Sequence, residues 1–240
     1  MNAPAPSSAL VPHLLGIAAR PHGVEWNAAE TALVVVDMQN GFLKPGGYFD
    51  NVGYDLDHAP NTIAQVARAV EIARACGVLP TFIQSGFDAQ HTYVGGATAP
   101  VWHKSEAQIL MRERPELAYQ LITDGTWDYE IVEELKPRPG DLVVRKSRYS
   151  AFSGTNLDQV LRARRIRNII ICGVALNVCV ETTLREAYGH EYFPLLLEDA
   201  TYHAGPPYLR DASLWNIERF FGWVATVDAF AQAATASVTA

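Results

Sequence analysis

Short apolar runs rich in Val, Ile and Leu recur along the chain, and longer segments with apolar residues at helical spacing separate them. Such runs are typical of strands buried on both faces, whereas the spaced segments are typical of amphipathic helices. The predicted strands span residues 32–38, 78–84, 141–145, 168–173 and 192–198. The predicted helices span residues 59–76, 156–164, the segment that follows Cys179, 207–221 and 227–234.

This alternation of strand and helix predicts an α/β fold, a three-layer, doubly wound, mostly parallel sheet with helices on both faces, as in Rossmann-like proteins. A chain of 240 residues fits one such domain. We expect the domain to span residues 25–234. Residues 1–24 begin with a stretch rich in Pro, Ala and Ser, which predicts a flexible N-terminal extension, and residues 235–240 are expected to form a frayed C-terminus.

Composition and charge exclude some classes of function. The hydrophobic fraction of 49% supports a large core, and the net charge of −7 argues against binding to nucleic acid or to an anionic membrane surface. No apolar run approaches the roughly 20 residues of a membrane span, and no basic-then-apolar segment predicts a secretion signal. Three cysteines give no disulfide framework. We therefore expect a cytoplasmic protein whose partner is a small molecule.

Candidate catalytic residues lie at or just after the ends of three predicted strands. Asp37 ends the first, Lys146 follows the run 141–145, and Cys179 lies where the run 168–173 gives way to a helix. The carboxyl ends of parallel strands share one edge of a sheet, which is where such folds bind ligands. A cysteine in the first turn of a helix meets unpaired N–H groups and the positive end of the helix dipole, which favours the thiolate.

Each residue also has a plainer interpretation. Cys179 could be a small buried hydrophobe, Asp37 could cap the next segment, and Lys146 could be a solvated charge beside Arg145 and Arg148. Together, however, the three supply a possible nucleophile, a possible base and a possible cation.

Several segments carry a resemblance to the isochorismatase-like cysteine hydrolases, and within them to the ureidoacrylate amidohydrolase branch. Three hold the residues named above: Val-Val-Val-Asp-Met-Gln-Asn (34–40), Arg-Lys-Ser-Arg-Tyr-Ser (145–150) and Gly-Val-Ala-Leu-Asn-Val-Cys-Val (173–180). The resemblance runs from about residue 25 to about residue 231. Further similar segments span residues 45–48, 102–105, 127–129, 197–201, 204–206 and 216–224.

The resemblance implies an amidohydrolase that cleaves a C–N bond of a small amide, urea or carbamate through a thioester. It implies that Cys179 is the nucleophile, that Asp37 is the base and that Lys146 supports both by its charge. It also implies a non-proline cis peptide at Val174–Ala175 and an oxyanion hole made by the N–H groups of Ala175 and Cys179. We expect no cofactor.

We expect the long segment 85–127 to hold the specificity region. The expected substrate-binding residues are Gln39, Phe42, Ser85, Phe87, Gln90, Val101, Trp102, Tyr149 and Leu176. Trp102 could instead lie at a subunit interface, since a homo-oligomer is expected. The ureidoacrylate branch has more polar residues where this chain has Ser85, Val101 and Leu176, so a less polar substrate than ureidoacrylate is predicted.

Two alternatives to a cysteine hydrolase of C–N bonds remain. One is a vinyl-ether hydrolase of the isochorismatase type, which works without a cysteine nucleophile, and the other is a non-enzymatic interaction domain on the same scaffold. A metal site is not expected, because Asp88, His91 and His103 do not reproduce the compact Asp-x-His motif of metal-holding relatives.

Overall fold

The computed structural model describes residues 13–236. The strands are β1 (Leu14–Ile17), β2 (Val24–Asn27), β3 (Thr31–Val36), β4 (Leu79–Ser85), β5 (Leu142–Lys146), β6 (Asn168–Val174), β7 (Phe193–Tyr202) and β8 (Trp223–Ala225). The α-helices are α1 (Asn40–Leu43), α2 (Tyr48–Val52), α3 (Ala59–Cys76), α4 (Pro100–Lys104), α5 (Glu106–Glu113), α6 (Leu157–Ala163), α7 (Glu181–Gly189), α8 (Tyr208–Asn216) and α9 (Val227–Ala236). No helix among these residues has both the length and the apolar character that crossing a bilayer requires.

Six of the strands form one parallel sheet in the order β5-β4-β3-β6-β7-β8. The order reverses between β3 and β6, so the carboxyl ends of these two central strands border a cleft. Alternate residues of β3 face opposite sides of the sheet, and Leu33 packs into one apolar core while Val34 packs into the other. Helices α3 and α9 cover the first core, and α6 and α7 cover the second. The predicted three-layer, doubly wound fold is confirmed.

Strand β1 and the first residue of β2 lie within the predicted N-terminal extension, residues 1–24. Strands β1 and β2 pair in an antiparallel ribbon, and Leu15 and Ile17 are buried in the core that α9 covers. Exposed and buried residues alternate along β1, which is the pattern of a strand with one buried face. Residues 1–12 and 237–240 lie outside the described residues.

Other differences are ones of length and detail. Helix α3 has the predicted bounds, but β7 extends to Tyr202 and the three-residue strand β8 was not predicted. The predicted helix 207–221 consists of α8 and a π-helical segment, Ile217–Phe221. The segment 85–127 contains α4 and α5 rather than irregular chain alone. The short helices α1, α2 and α4 were not predicted, because segments of four or five residues depend on tertiary packing more than on a local pattern.

Gly173 allows the carboxyl ends of β3 and β6 to approach each other closely. Its φ is +110°, and a Cβ at this position would overlap the backbone of Val36, including its carbonyl oxygen. Only glycine combines that backbone conformation with that space. The approach matters because Val36 immediately precedes Asp37.

We predict that Gly173→Ala lowers the free energy of unfolding by about 2–4 kcal/mol, because it adds backbone strain and a steric clash. Gly189→Ala is the matched control, since nothing lies within 4 Å of a Cβ there and its φ is not in the left-handed region. It should change stability by no more than about 1 kcal/mol. Urea unfolding followed by circular dichroism compares the two. Equal stability of the two variants would contradict the proposed role of Gly173.

Candidate active site

Three strands deliver one functional side chain each to the cleft. Asp37 directly follows β3, Lys146 is the last residue of β5, and Cys179 lies in a π-helical segment, Leu176–Val180, between β6 and α7. The Lys146 Nζ lies 2.8 Å from Asp37 Oδ2 and 3.4 Å from Cys179 Sγ. The structure therefore brings together the three residues that the sequence placed at strand ends.

Lys146 is the centre of this cluster. Its Nζ also donates to Ser85 Oγ at 3.0 Å and to the carbonyl oxygen of Arg148 at 3.1 Å. Burial lowers the pKa of Lys146, but the charges of Asp37 and Cys179 outweigh burial and leave that pKa raised. Lys146 is therefore a fixed ammonium group between the carboxylate and the sulfur.

Asp37 is a buried carboxylate with an unusual backbone. Burial raises its pKa, and Lys146 opposes that rise without cancelling it. Its φ is +53°, its N–H donates to the Ile83 carbonyl at 3.0 Å, and its carbonyl accepts from the Gln39 N–H at 2.8 Å. A hydrogen bond between the side chains of Asp37 and Cys179 also lowers the pKa of Asp37, but by less than burial raises it. A carboxyl with a raised pKa beside the thiol is suited to accept the thiol proton.

The protonation state of Cys179 differs from the expectation. Burial raises its pKa to about 12, and the opposing charge of Lys146 does not reverse this effect. The preference for a thiolate that a helix terminus predicts is therefore outweighed by loss of solvent, and the resting side chain is a thiol. A thiolate can form here only if a neighbouring group takes the proton.

A cavity of about 280 Å³ opens above Cys179. Aromatic side chains form much of its wall, and a few polar groups from the segment 85–106 complete it. The lining residues are Phe42, Tyr48, Phe49, Tyr54, Ser85, Lys104, Ser105, Glu106, Ile122, Tyr149, Ala175, Val178, Cys179 and Ala204. Its size and mixed lining are those of a small-molecule site.

Several residues expected to bind substrate line this cavity or its neighbour. Phe42, Ser85 and Tyr149 line the cavity itself, as does Ala175, the residue expected in the oxyanion hole. The peptide bond Val174–Ala175 is cis, as the resemblance implied. Phe87 and Val101 line an adjoining pocket of about 70 Å³, which shares Ser85, Ser105, Ile122 and Tyr149 with the cavity.

Four of the expected substrate-binding residues lie elsewhere. The Gln39 side chain is fully buried and holds backbone atoms, since its Nε2 donates to the carbonyls of Ser85 and Tyr129 and its Oε1 accepts from the Ser85 N–H. Leu176 is buried in the apolar core beside α6 and α7. Its side chain therefore does not support the predicted preference for less polar substrates.

The other two belong to the segment 85–127. Gln90 is exposed and does not line the cavity. The Trp102 ring is half-buried against the core, and the Arg112 guanidinium lies over it at 4.1 Å from the ring centre. This cation–π contact on the surface of α4 and α5 accounts for Trp102 without a substrate.

Sequence patterns did not reveal some residues that build the cavity wall. Tyr48, Tyr54 and Glu106 come from α2, the loop after it and α5. Asp128 anchors two of the wall residues, because its Oδ1 accepts from the Tyr48 N–H at 3.0 Å and its Oδ2 from the Ile122 N–H at 2.6 Å. The spacing of Asp128 from Tyr48 along the chain gave no signal of this contact.

The three candidate metal ligands of the segment 85–127 have other partners. The His91 Nε2 lies 2.9 Å from Thr123 Oγ1, and its Nδ1 faces Gln108 Nε2 at 3.2 Å. The His103 Nε2 lies 2.8 Å from the carbonyl oxygen of Ala97, and Asp88 accepts from Thr92. Within residues 13–236, no three His, Cys, Asp or Glu side chains are grouped so as to hold a metal ion.

Fold and site together define a class of protein: a doubly wound α/β domain with a Cys–Lys–Asp cluster at the carboxyl edge of its sheet. Residues 31–229 match the Isochorismatase domain. The chain is 52% identical over 212 residues to the ureidoacrylate amidohydrolase RutB of Agrobacterium fabrum, which covers 88% of this chain and 93% of the relative. The RutB of Azorhizobium caulinodans is 51% identical over 215 residues, covering 90% and 95%. The chain therefore belongs to the isochorismatase family.

Solved structures agree with this assignment. A cysteine hydrolase from Pseudomonas syringae pv. phaseolicola aligns with a TM-score of 0.71 at 27% identity, covering 88% of this chain and 95% of that chain. The N-carbamoylsarcosine amidase from Thermoplasma acidophilum has the same fold, with a TM-score of 0.62 at 24% identity and coverage of 83% and 97%.

The raised pKa of Cys179 has a measurable consequence for alkylation by iodoacetamide, which attacks the thiolate. Because a pKa of about 12 keeps the thiol protonated across the neutral and mildly alkaline range, the labelling rate of the resting enzyme should rise about tenfold per pH unit from pH 7 to pH 10. The cysteine of an unstructured peptide measured in parallel has a pKa of about 8.5, and its labelling rate levels off above about pH 9. Peptide mapping separates Cys179 from Cys76 and Cys172. A plateau for Cys179 below pH 9 would contradict the raised pKa.

Proposed function

We propose that this protein is an amidohydrolase that cleaves a C–N bond of a small ureido compound, with ureidoacrylate as the first candidate, through a thioester on Cys179. The observation that carries the proposal is the buried cluster in which Lys146 Nζ lies 2.8 Å from Asp37 Oδ2 and 3.4 Å from Cys179 Sγ beneath a cavity of about 280 Å³. The names of the curated relatives support the substrate class.

The first step is proton transfer and attack. Asp37 accepts the proton of Cys179, and the thiolate attacks the carbonyl carbon of the ureido group. Lys146 stays protonated and stabilises whichever of its two neighbours is negative, so no charge leaves the cluster. The raised pKa of Asp37 supports this role, because a carboxyl with an ordinary pKa would hold the proton poorly.

The second step expels the amine. The negative oxygen of the tetrahedral intermediate accepts hydrogen bonds from the N–H groups of Ala175 and Cys179. Asp37 returns its proton to the substituted nitrogen, and the C–N bond breaks. In ureidoacrylate that nitrogen is conjugated with the acrylate group, which makes it a better leaving group than ammonia.

The last step is hydrolysis of the carbamoyl thioester. Water attacks the thioester carbon while Asp37 accepts a proton from the water and then returns it to the sulfur of Cys179. The product is carbamic acid, which decomposes to ammonia and carbon dioxide. Cys179 and Asp37 return to their starting protonation states.

The geometry of the site supports the two alternative functions less well than it supports a cysteine hydrolase. A vinyl-ether hydrolase does not need a cysteine nucleophile, yet Cys179 lines the cavity and contacts Lys146. A non-enzymatic domain would have no use for a buried ion pair below a cavity, because buried pairs are expensive to desolvate.

Two expectations from the sequence stay predictions. A homo-oligomer is supported by large exposed aromatic side chains near the carboxyl-terminal helices, among them Trp215 and Phe220.

A reducing, cytoplasmic location is supported by three cysteines without disulfides, Cys76, Cys172 and Cys179.

Ammonia release from ureidoacrylate by the purified protein tests the proposal directly. Cys179→Ala should lower kcat/KM at least about a thousandfold, because it removes the nucleophile. Cys172→Ala is the matched control: Cys172 is also buried, lies inside β6 and does not line the cavity. It should keep activity within about tenfold of the parent protein.

The same assay tests whether the cluster acts as a unit. Asp37→Asn and Lys146→Met should each lower kcat/KM about a thousandfold, and the double variant should be less than about tenfold worse than either. Circular dichroism confirms that the variants fold. If the two losses simply multiply, or if Cys179→Ala retains turnover, the proposed mechanism is wrong.

A further inference from the structure

Asn177 joins the segment that carries Cys179 to the loop that follows β7. It lies in the π-helical segment Leu176–Val180, between Ala175 and Cys179. Its Nδ2 donates to the Ala204 carbonyl at 2.9 Å, and its Oδ1 accepts from the Ala204 N–H at 3.0 Å. One side-chain amide therefore pairs with both backbone groups of a single residue, as the backbone of a neighbouring strand would.

This contact extends the pairing of β6 with β7 beyond the end of the two strands. The register between the strands ends with Val174 opposite Tyr202. Past that point β6 leads into the segment of Cys179 and β7 leads to Ala204, and the Asn177 amide takes the place of backbone pairing. Ala204 and Cys179 both line the cavity, so the amide joins two parts of its wall.

The loop on the Ala204 side of this contact is itself held in place. The Tyr202 phenol donates to the Asp55 carbonyl, and the centre of the Tyr202 ring lies 6.4 Å from that of Phe49. Tyr202 and Ala204 are both buried. Because the loop is fixed by contacts from other elements, it can serve as an anchor for Asn177.

The segment that carries Cys179 depends on such an outside contact at its start. The N–H groups of Val178 and Val180 both donate to one carbonyl oxygen, that of Ala175, at 3.0 and 3.1 Å. The first residues of a helix have no preceding turn to bond to, so groups outside the helix must fix them. Asn177 supplies this contact between Ala175 and Cys179, the two residues whose N–H groups are expected to form the oxyanion hole.

We propose that Asn177 is a positioning residue, which aligns the Cys179 sulfur and the oxyanion hole with the bound substrate by clamping their segment to Ala204. This inference rests on the proposed function for its turnover assay, although the clamp does not depend on the identity of the substrate. Asn177 takes no part in proton transfer or bond making. Its effect is on alignment, and a misplacement of about 1 Å can lower a rate about a hundredfold.

Two substitutions of similar size test the clamp. Asn177→Leu keeps the approximate shape of the side chain but neither hydrogen bond, and Asn177→Asp keeps the acceptor but loses the donor while its carboxyl is ionised. Each should lower kcat/KM for ureidoacrylate at pH 8 about thirtyfold or more, with circular dichroism showing that the variants fold. If Asn177→Leu keeps kcat/KM within about threefold of the parent protein, the proposal is wrong.

The pH dependence of Asn177→Asp is a sharper test. A protonated carboxyl has one donor and one acceptor and restores both contacts with Ala204, whereas the ionised form sets a negative oxygen against the Ala204 carbonyl, which raises the carboxyl pKa. The kcat/KM of Asn177→Asp relative to the parent should therefore rise at least about fivefold as the pH falls from 8 to 5. The same ratio for Asn177→Leu should stay within about twofold. A rise in both variants, or in neither, would contradict the clamp.

Asn216→Asp is the matched control for the added charge. Asn216 is also half-buried, its side chain forms no hydrogen bond to the residues that the structure describes, and it does not line the cavity. The same change from amide to carboxyl should leave kcat/KM within about twofold of the parent from pH 5 to pH 8. A loss equal to that of Asn177→Asp would mean that charge alone is responsible, and the proposal would be overturned.

Alkylation of Cys179 tests the clamp without turnover. Loss of the clamp admits water to the segment, which exposes the thiol and lowers its pKa toward the ordinary value. Iodoacetamide should therefore label Cys179 at least about fivefold faster in Asn177→Leu than in the parent at pH 8. Peptide mapping should show unchanged labelling of Cys76 and Cys172, because global unfolding would expose all three cysteines.

This measurement also separates the clamp from the proposed function. If ureidoacrylate is not hydrolysed but labelling of Cys179 alone accelerates in Asn177→Leu, the proposed function fails and the clamp stands. An unchanged labelling rate of Cys179, or an equal acceleration at all three cysteines, overturns the inference.

Discussion

Lys146 and Asp37 form an ion pair at 2.8 Å whose side chains have no exposed surface. Taking two charges out of water costs several kcal/mol per ion, so such a pair persists only where the geometry is good and the remaining donors find acceptors. Lys146 meets that condition through Ser85, the Arg148 carbonyl and Cys179. The pair thus fixes how the ends of β3 and β5 stand relative to the helix that carries the sulfur.

The backbone around the pair is built to keep it in place. Gly173 lets β6 lie against Val36, and the Gln39 amide ties the chain after Asp37 to the Ser85 end of β4 and to the Tyr129 carbonyl. Gln39 therefore acts on strand ends, not on a ligand. A rigid edge of this kind suits chemistry in which atoms must stay aligned within a fraction of an ångström.

The fold and the three strand-end residues could be predicted from sequence because both depend on local periodicity and on strand order. The β-branched runs form β3 and β6, and the parallel order of these strands places Asp37 and Cys179 at the same edge of the sheet, independently of the loop conformations. The cavity wall could not be predicted in this way. Glu106 and Tyr54 are 52 residues apart and meet only because α2 packs near α5. Leu176 shows the converse. It precedes Cys179 by only three positions, yet it is fully buried in the core beside α6 and α7 and does not line the cavity.

The same physics explains why the expected thiolate is absent at rest and why that absence does not block catalysis. Burial raises the pKa of Cys179 and that of Asp37 alike, because each would place a negative charge in a region without water. Moving a proton from the sulfur to the carboxylate leaves the total charge of the cluster unchanged, with Lys146 beside both groups. The energetic cost of the transfer therefore depends on the difference between the two pKa values and not on how far burial has raised either. A dry, shared site raises both values, so burial by itself does not prevent transfer of the proton from the sulfur to the carboxylate.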